Sequence, residues 1–482
     1  MSTVQTEHAG SSFGSSSRCV LPVRRDRPSI RYLSPLRFFG DLRRDPLAFF
    51  SHAAKLGDAV ELRAGFLEAW LLTHPTHIKH VLQDHSKNYG GQSRVVRLFQ
   101  LGGGDGLLST EGEPWLRQRR LIQPALRRDL LAQAAGAITA ETESMLDRWD
   151  GFNERHQPLD VARAMATLTL RIAGRAFFGA DLAGEVEPLA GAMTALFEHF
   201  NHRLFRLFTI PERIPTPRNR RFRQTSRTID RVVNKIIAQS QGSGSYNSCL
   251  LAALLHAEDA PDKASLTQSQ IRDAVATFLG AASETTAVAL AWTWYLIAAN
   301  PAAELKLIDE LRNNLAARAP ILRDLPKLRY TTMVVQEALR IFPPAWMMLR
   351  TAVEADEIGG FRIPRNSTIL MSPYLTHRRA DIWDDPNRFD PERFAPERSH
   401  GRPEFSFYPF GGGPRQCPGD DFAMVEMVLI VATVLQRYRL RLVPGQVIEP
   451  HITFTMRPRN GVVVTLTDDS EVRPFANSFG RE

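Results

Sequence analysis

Cysteine is scarce in this chain. Only Cys19, Cys249 and Cys417 occur among 482 residues. So few exclude a disulfide framework and suit a reducing compartment, which we read as the cytoplasm. No run of 18 apolar residues appears, so no membrane span is expected. Neither sign of charge dominates: 60 Lys and Arg stand against 52 Asp and Glu, a formal net charge of +8. That modest excess, spread widely, suits an acidic protein partner better than nucleic acid. Internal repeats are absent, and so are flavin and nicotinamide motifs. Apolar residues, by contrast, make up 43% of the chain, enough for a sizeable core, and 31 Gly with 31 Pro imply many loops. Residues 1–30 are rich in Ser, Gly and Arg and read as disordered. An Arg- and Ser-rich transit peptide has a similar composition, but no clear amphipathic face is visible. Residues 31–482 read as a single domain.

The chain is organised around Phe410-Gly411-Gly412-Gly413-Pro414-Arg415-Gln416-Cys417-Pro418-Gly419. The glycines let the backbone bend tightly and approach a flat object closely. Pro418 offers no backbone N–H to compete for the sulfur. A helix is expected from Asp420 to Tyr438. Cys417 would then precede a helix N-terminus, where a thiolate is stabilised. A lone thiolate is a poor zinc site, which needs further N or S ligands. It suits a single axial ligand to haem iron. Taken alone, the residues also fit a core cysteine beside a glycine turn.

Phe410, Gly413, Arg415, Cys417 and Gly419 match, position by position, the haem-binding signature of the haem-thiolate monooxygenases. The chain therefore resembles the cytochrome P-450 superfamily, of the soluble bacterial type, over nearly its whole length after Arg31. The resemblance implies a mainly helical fold with a smaller β region. Haem b (iron protoporphyrin IX) would lie between a long central helix and the cysteine-ligand helix, with Cys417 as its metal ligand. It implies O2 as cosubstrate and one oxygen atom inserted into a hydrophobic substrate, by hydroxylation or epoxidation. With no reductase in the chain, electrons would come from a ferredoxin or flavodoxin type donor and its reductase. Two other classes are weighed: a haem-thiolate peroxygenase or isomerase that does not use O2, and a haem-binding protein without turnover. Glu284-Thr285 argues against both.

Further motifs follow in the family's order. Trp115 and Arg119 share a helix face. The resemblance gives them, with Arg350, to the haem propionates, and Arg415, Gly411 and Gly419 to the haem-binding loop. A helix from Thr267 to Asn300 is expected from the period of Ile271, Ala274, Val275, Phe278, Leu279 and Ala282. Its middle, Gly280-Ala281-Ala282-Ser283-Glu284-Thr285-Thr286, resembles the family's oxygen-activation motif, with Ala282 at the usual Gly. Glu284 and Thr285 would relay protons there; read without the family they are equally a helix-internal ion pair with threonine back-bonding. Glu337, Arg340 and Arg393 match the family's buried structural triad.

The candidate substrate pocket is Phe197, Phe200, Phe278, Ala281, Trp346, Met347 and Phe454, with Phe205, Phe208 and Met348 beside them. Such residues suggest a terpenoid, carotenoid, fatty acid or polyketide substrate. Arg203 and Arg206 lie close enough in sequence to greet a carboxylate. Strands are expected at 59–63 and 68–73, then a long connection at 88–108. A hairpin is expected over 360–370, with Asn366 in its turn, and another from 453–456 to 462–465 through Asn460-Gly461.

Overall fold

The computed structural model describes residues 28–468 apart from 33, 66, 91–93, 127, 205, 207, 244–248 and 256–265. Most of the segment expected to be disordered, Phe205 and part of the Gly/Ser stretch at 241–245 lie outside the described residues. Helices carry most of the chain, accompanied by four small sheets.

Eight helices build the site. They are α1 (Pro75–Lys79), α2 (Arg94–Gly103), α3 (Gly112–Ala125), α4 (Val161–Phe178), α5 (Val186–Leu204), α6 (Gln268–Ala299), α7 (Arg329–Ile341) and α8 (Asp420–Leu435). The strands are β1 (Ser29–Tyr32), β2 (Ala59–Ala64), β3 (Leu67–Leu72), β4 (Tyr89–Gly90), β5 (Leu159–Asp160), β6 (Met348–Ala352), β7 (Asp356–Ile358), β8 (Phe361–Ile363), β9 (Thr368–Met371), β10 (Tyr438–Leu442), β11 (Pro450–Ile452), β12 (Met456–Pro458) and β13 (Val463–Asp468).

The long helix α6 forms where the apolar period placed it. Thr267 caps it, accepting from the Gln270 backbone N–H while the Gln270 side chain returns the bond. Asn300 and then Pro301 stop it. Its 32 residues span roughly 48 Å at 1.5 Å per residue. It is long and apolar enough to cross a membrane, yet 72% of its most apolar window is buried inside the protein, as in a core helix. Trp292 and Trp294 on it are fully buried. Thr169 of α4 donates to the Ser283 carbonyl at 3.0 Å and pins α6 near its middle.

The main sheet runs β1-β2-β3-β9-β6-β4. Trp70 pairs with Ile369 across the parallel β3–β9 contact, and Arg350 of β6 lies opposite the same Ile369. The two expected hairpins are corrected. β8 turns back on β7, whereas β9 joins the main sheet. β12 pairs with β11, and β13 pairs instead with β10 and β5. Strand propensity marked these segments, but long-range partners decided the pairing. Asn366 does adopt the expected left-handed turn, at φ 67°. Two boundaries also move: α8 ends at Leu435 because Tyr438 starts β10, and the expected connection at 88–108 contains α2.

Candidate active site

Left-handed glycines and two close contacts shape the cysteine loop. Gly411 and Gly413 have φ of 76° and 64°. A Cβ on Gly413 would collide with the Leu82 carbonyl oxygen, so only glycine fits there. The Cys417 backbone N–H donates to the Phe410 carbonyl at 2.9 Å and closes the loop. α8 starts three residues later, at Asp420.

The thiol of Cys417 borders a cavity of about 710 Å³, shared with Arg119, Gln123, Gly413, Gln416 and Asp420. The expected stabilised thiolate is not what the polypeptide alone provides. Cys417 is exposed to this cavity, yet the protein packed around it on the other sides pushes the thiol up to about 11, and Asp420 adds to this, while the Gly419 N–H and Arg119 only partly oppose it. A cation bound at sulfur reverses that balance, because a coordinated thiol is deprotonated. The cysteine thus fits a metal ligand.

Arginines supply the second element. Arg415 lies 4.0 Å from the Trp115 ring centroid and donates to the Thr110 carbonyl at 3.0 Å. Burial pulls its guanidinium down to about 10; Glu111 opposes the fall, and Arg350 and Arg119 add to it. Arg350 is also lowered by burial, and it donates to its neighbour's carbonyl, that of Leu349, at 2.8 Å. Among the described residues, no carboxylate forms an ion pair with Arg350, Arg415 or Arg119, and Glu111 acts on Arg350 and Arg415 only from farther away. Buried cations without a counter-ion are costly. They fit an anionic group such as the propionates of a porphyrin. Arg119 itself turns to the Gln416 carbonyl at 2.9 Å, on the cysteine side. Trp115 meets Arg415 rather than Arg119, so the helix pair expected to act together divides its contacts.

The middle of α6 supplies the third element. Thr285 is exposed and Ala281 and Ala282 are half-buried, whereas Ser283 and Thr286 are buried. The helix therefore presents one open strip at this level. Thr285 Oγ1 donates to the Ala281 carbonyl at 2.8 Å. Glu284 does not stand free. Its Oε1 accepts from Thr455 Oγ1 at 2.8 Å and from Arg457 Nε and Nη2 at 3.1 and 2.5 Å. Thr455 and Arg457 were not anticipated, because 171 and 173 residues separate them from Glu284.

Only part of the expected pocket comes together. Phe454 stacks on Phe197 at 5.6 Å and meets Phe200 edge-on at 6.3 Å. Phe99 of α2 completes the group, 5.0 Å from Phe454 and 5.9 Å from Phe200. It was missed because its glycine-flanked segment read as a loop. Phe278 instead meets Phe177 at 6.3 Å, and Phe177 meets Phe422 of α8 at 4.5 Å. Trp346 packs on Phe50 at 6.0 Å, in a separate apolar cluster that Met347 also joins. Phe208 is 78% exposed. Arg203 is ion-paired with Glu212 and hydrogen-bonded to the Ile210 carbonyl, which removes it as a ready carboxylate receptor.

The triad residues meet without a solvent path. Arg340 donates to both oxygens of Glu337 at 2.7 and 2.8 Å, and Arg393 Nε lies 3.3 Å from Glu337 Oε1. Arg340 also donates to the His377 carbonyl at 2.8 Å, and His377 Nε2 accepts the Tyr408 backbone N–H at 3.0 Å. The Tyr408 carbonyl in turn accepts from the Gly411 N–H at 3.0 Å. The network therefore reaches the cysteine loop through His377.

The family model for cytochrome P-450 matches residues 38–465, and the chain belongs to that family. It is similar to cyclooctatin synthase of Streptomyces melanosporofaciens, 35% identical over 85% of this chain and 88% of the relative. It is also similar to cyclooctat-9-en-7-ol 5-monooxygenase of the same organism, 33% identical over 84% and 87%. Pentalenene oxygenase of Streptomyces avermitilis is 32% identical over 85% and 90%. The chain is a monooxygenase of hydrophobic substrates, and its family implies haem held by a cysteine thiolate, use of O2 and separate redox partners.

Proposed function

We propose that this enzyme oxidises a bulky terpenoid-like hydrocarbon skeleton. The observation that carries the reading is the aromatic group of Phe99, Phe197, Phe200 and Phe454, which is tied to the reaction strip. Phe454 precedes Thr455, and Thr455 holds Glu284 beside Thr285. Large rings bury apolar area against such a wall, at about 25 cal/mol per Å². The names of the Streptomyces relatives point to terpenoid skeletons as well.

Haem b, once bound, supplies the oxygen chemistry with two electrons and two protons per cycle. The chain's residues do the rest. Cys417 holds the iron. Arg350 and Arg415, with Trp115 beside Arg415, would hold the porphyrin carboxylates. Phe410, Gly411 and Gly419 shape the loop that lets the ring approach. Thr285 orients water on the open strip of α6, and Glu284 passes protons toward it while Thr455 and Arg457 fix its carboxylate. Electrons come from a ferredoxin or flavodoxin type donor and its reductase in the cytoplasm. The overall excess of positive charge steers such an acidic donor, and Arg119 of α3, which lines the cavity beside Cys417, offers it a cation.

The test is a spectral titration of the holoenzyme with a graded apolar series, from small aromatics to polycyclic terpenes. Tightest binding by the polycyclic members is expected. Tightest binding by small aromatic or polar molecules, with the large ones excluded, would sink the reading.

A further inference from the structure

A cluster remote from the reaction strip has no part in the chemistry above. His80 Nε2 lies 2.8 Å from Asp356 Oδ2, and His85 Nδ1 lies 3.6 Å from the same oxygen. The two imidazole rings are 3.9 Å apart. A single π turn, His80–Asp84, creates this arrangement. Its hydrogen bond from His85 N–H to the His80 carbonyl, at 2.8 Å, brings residues five apart onto one face. An ordinary α-helix would turn them away from each other. Asp356 comes from β7, 276 residues further on.

One hydrogen bond satisfies His80 and Asp356, but His85 Nδ1 is too far from the carboxylate to share in it. The ligand atoms of all three residues lie within 4.8 Å of one another. Ligands of a tetrahedral ion at about 2.0–2.2 Å stand about 3.3–3.6 Å apart, so little movement is needed. The carboxylate is already oriented: Tyr89 OH donates to Asp356 Oδ2 at 2.6 Å and the Glu357 N–H to Oδ1 at 2.7 Å. Burial opposes the charge on Asp356, but the bonds from Tyr89 and His80 outweigh it and hold the carboxyl at about 2.

We propose that His80, His85 and Asp356 form a second metal site, for a zinc-class divalent ion. Two imidazoles and a carboxylate suit Zn²⁺, Ni²⁺ or Cu²⁺ and disfavour Mg²⁺ and Ca²⁺, which prefer oxygen ligands. The ion would clamp the π turn to the β7–β8 hairpin. Its place in the fold gives the clamp a purpose. Leu82 of that turn is the residue on whose carbonyl Gly413 rests. The cysteine loop therefore leans on the segment that the ion would fix.

The experiment uses tag-free, chelator-treated holoenzyme at neutral pH, titrated calorimetrically with ZnSO4 and, as a control, MgCl2. Saturable binding of one Zn²⁺ per chain is expected, with none for Mg²⁺. His85→Ala and Asp356→Asn should each weaken Zn²⁺ binding by roughly tenfold or more, since each removes a ligand. His85 is largely exposed, so its removal leaves the fold intact, which the thiolate-type spectrum of the reduced carbon monoxide complex checks. Zn²⁺ should raise the unfolding midpoint of the wild type and not of His85→Ala. Absence of saturable Zn²⁺ binding by the wild type overturns the proposal. So does His85→Ala binding as tightly as the wild type.

Discussion

Arg457 grips Glu284 through two nitrogens, at 3.1 and 2.5 Å, so the acid of the central helix is anchored by the last third of the chain. A carboxylate held this way keeps one orientation beside Thr285, but it must loosen its grip to hand on a proton. In the proposed relay, the pair sets how much of the electron supply ends in product. Glu284→Gln should lower product formed per electron pair by roughly a hundredfold, the low end for a general acid, and divert reduced oxygen to peroxide. Arg457→Gln should lower it less, because Thr455 still holds Glu284. Product and peroxide yields measured against cofactor consumed check this. Unchanged coupling in Glu284→Gln would remove the acid from the relay.

The triad makes a sharper stability prediction. Arg340 is fully buried, and removing it strands the Glu337 carboxylate without its main partner. Arg340→Leu should cost about 3–5 kcal/mol, as for other broken buried pairs. Because Arg340 also supports His377, and His377 supports Tyr408, haem retention should fall along with the urea midpoint. A midpoint within experimental error of the wild type would show the network to be dispensable.

What the sequence made legible divides along physical lines. The cysteine loop was readable because its own turn dictates its glycines, with left-handed φ of 76° at Gly411 and 64° at Gly413. The central helix was readable because its period and its Thr267–Gln270 cap are local too. Strand partners were not: Phe361 and Thr368 both read as strand, but a β7 partner took one and the main sheet took the other. Trp346 looked like pocket by position and greasiness, and burial against Phe50 satisfies the same chemistry. The Glu284–Arg457 pair leaves no local trace at all, since only the fold brings its members together.

Trp115 and Arg415 offer a test of how the propionate end is built. The ring covers the guanidinium at 4.0 Å, a cation–π contact worth about 0.5–2 kcal/mol. Trp115→Ala should let Arg415 move and should speed haem loss to an acceptor protein by several-fold, while Trp115→Phe restores most of the retention. Equal loss rates in the wild type and Trp115→Ala would exclude a holding role for the tryptophan.

Phe454 offers a test of the proposed substrate wall. It contacts Phe99, Phe197 and Phe200 at once, so its removal opens the group without touching Thr455 or Glu284 directly. Phe454→Ala should weaken binding of polycyclic apolar ligands by about tenfold, from lost aromatic contact and buried area. Small ligands should bind nearly as before. Equal weakening across the whole size series would place Phe454 in the scaffold instead.

His199 gives the enzyme a pH-dependent weak point beneath that wall. It sits on α5 between Phe197 and Phe200, only 5% exposed, with its ring stacked on Phe222 at 4.2 Å. Neither ring nitrogen has a hydrogen-bond partner among the described residues. Burial pulls its pKa from 6.5 down to about 4, and Arg203 and Arg218 reinforce the depression. The direction of the pH effect follows from that lowering. Below 6.5 the unfolded chain takes up a proton that the folded chain refuses, so unfolding gains. The stability associated with the neutral ring is thus complete above pH 6.5 and drains away as pH falls toward 4. Between pH 6.5 and 5 the loss should be roughly 1–2 kcal/mol, since one proton taken up only on unfolding is worth about 1.4 kcal/mol per pH unit. His199→Leu, similar in bulk and uncharged, should flatten the fall in unfolding midpoint over this range relative to the wild type. Parallel midpoint curves for the two proteins would show that His199 finds a way to be protonated in the folded state.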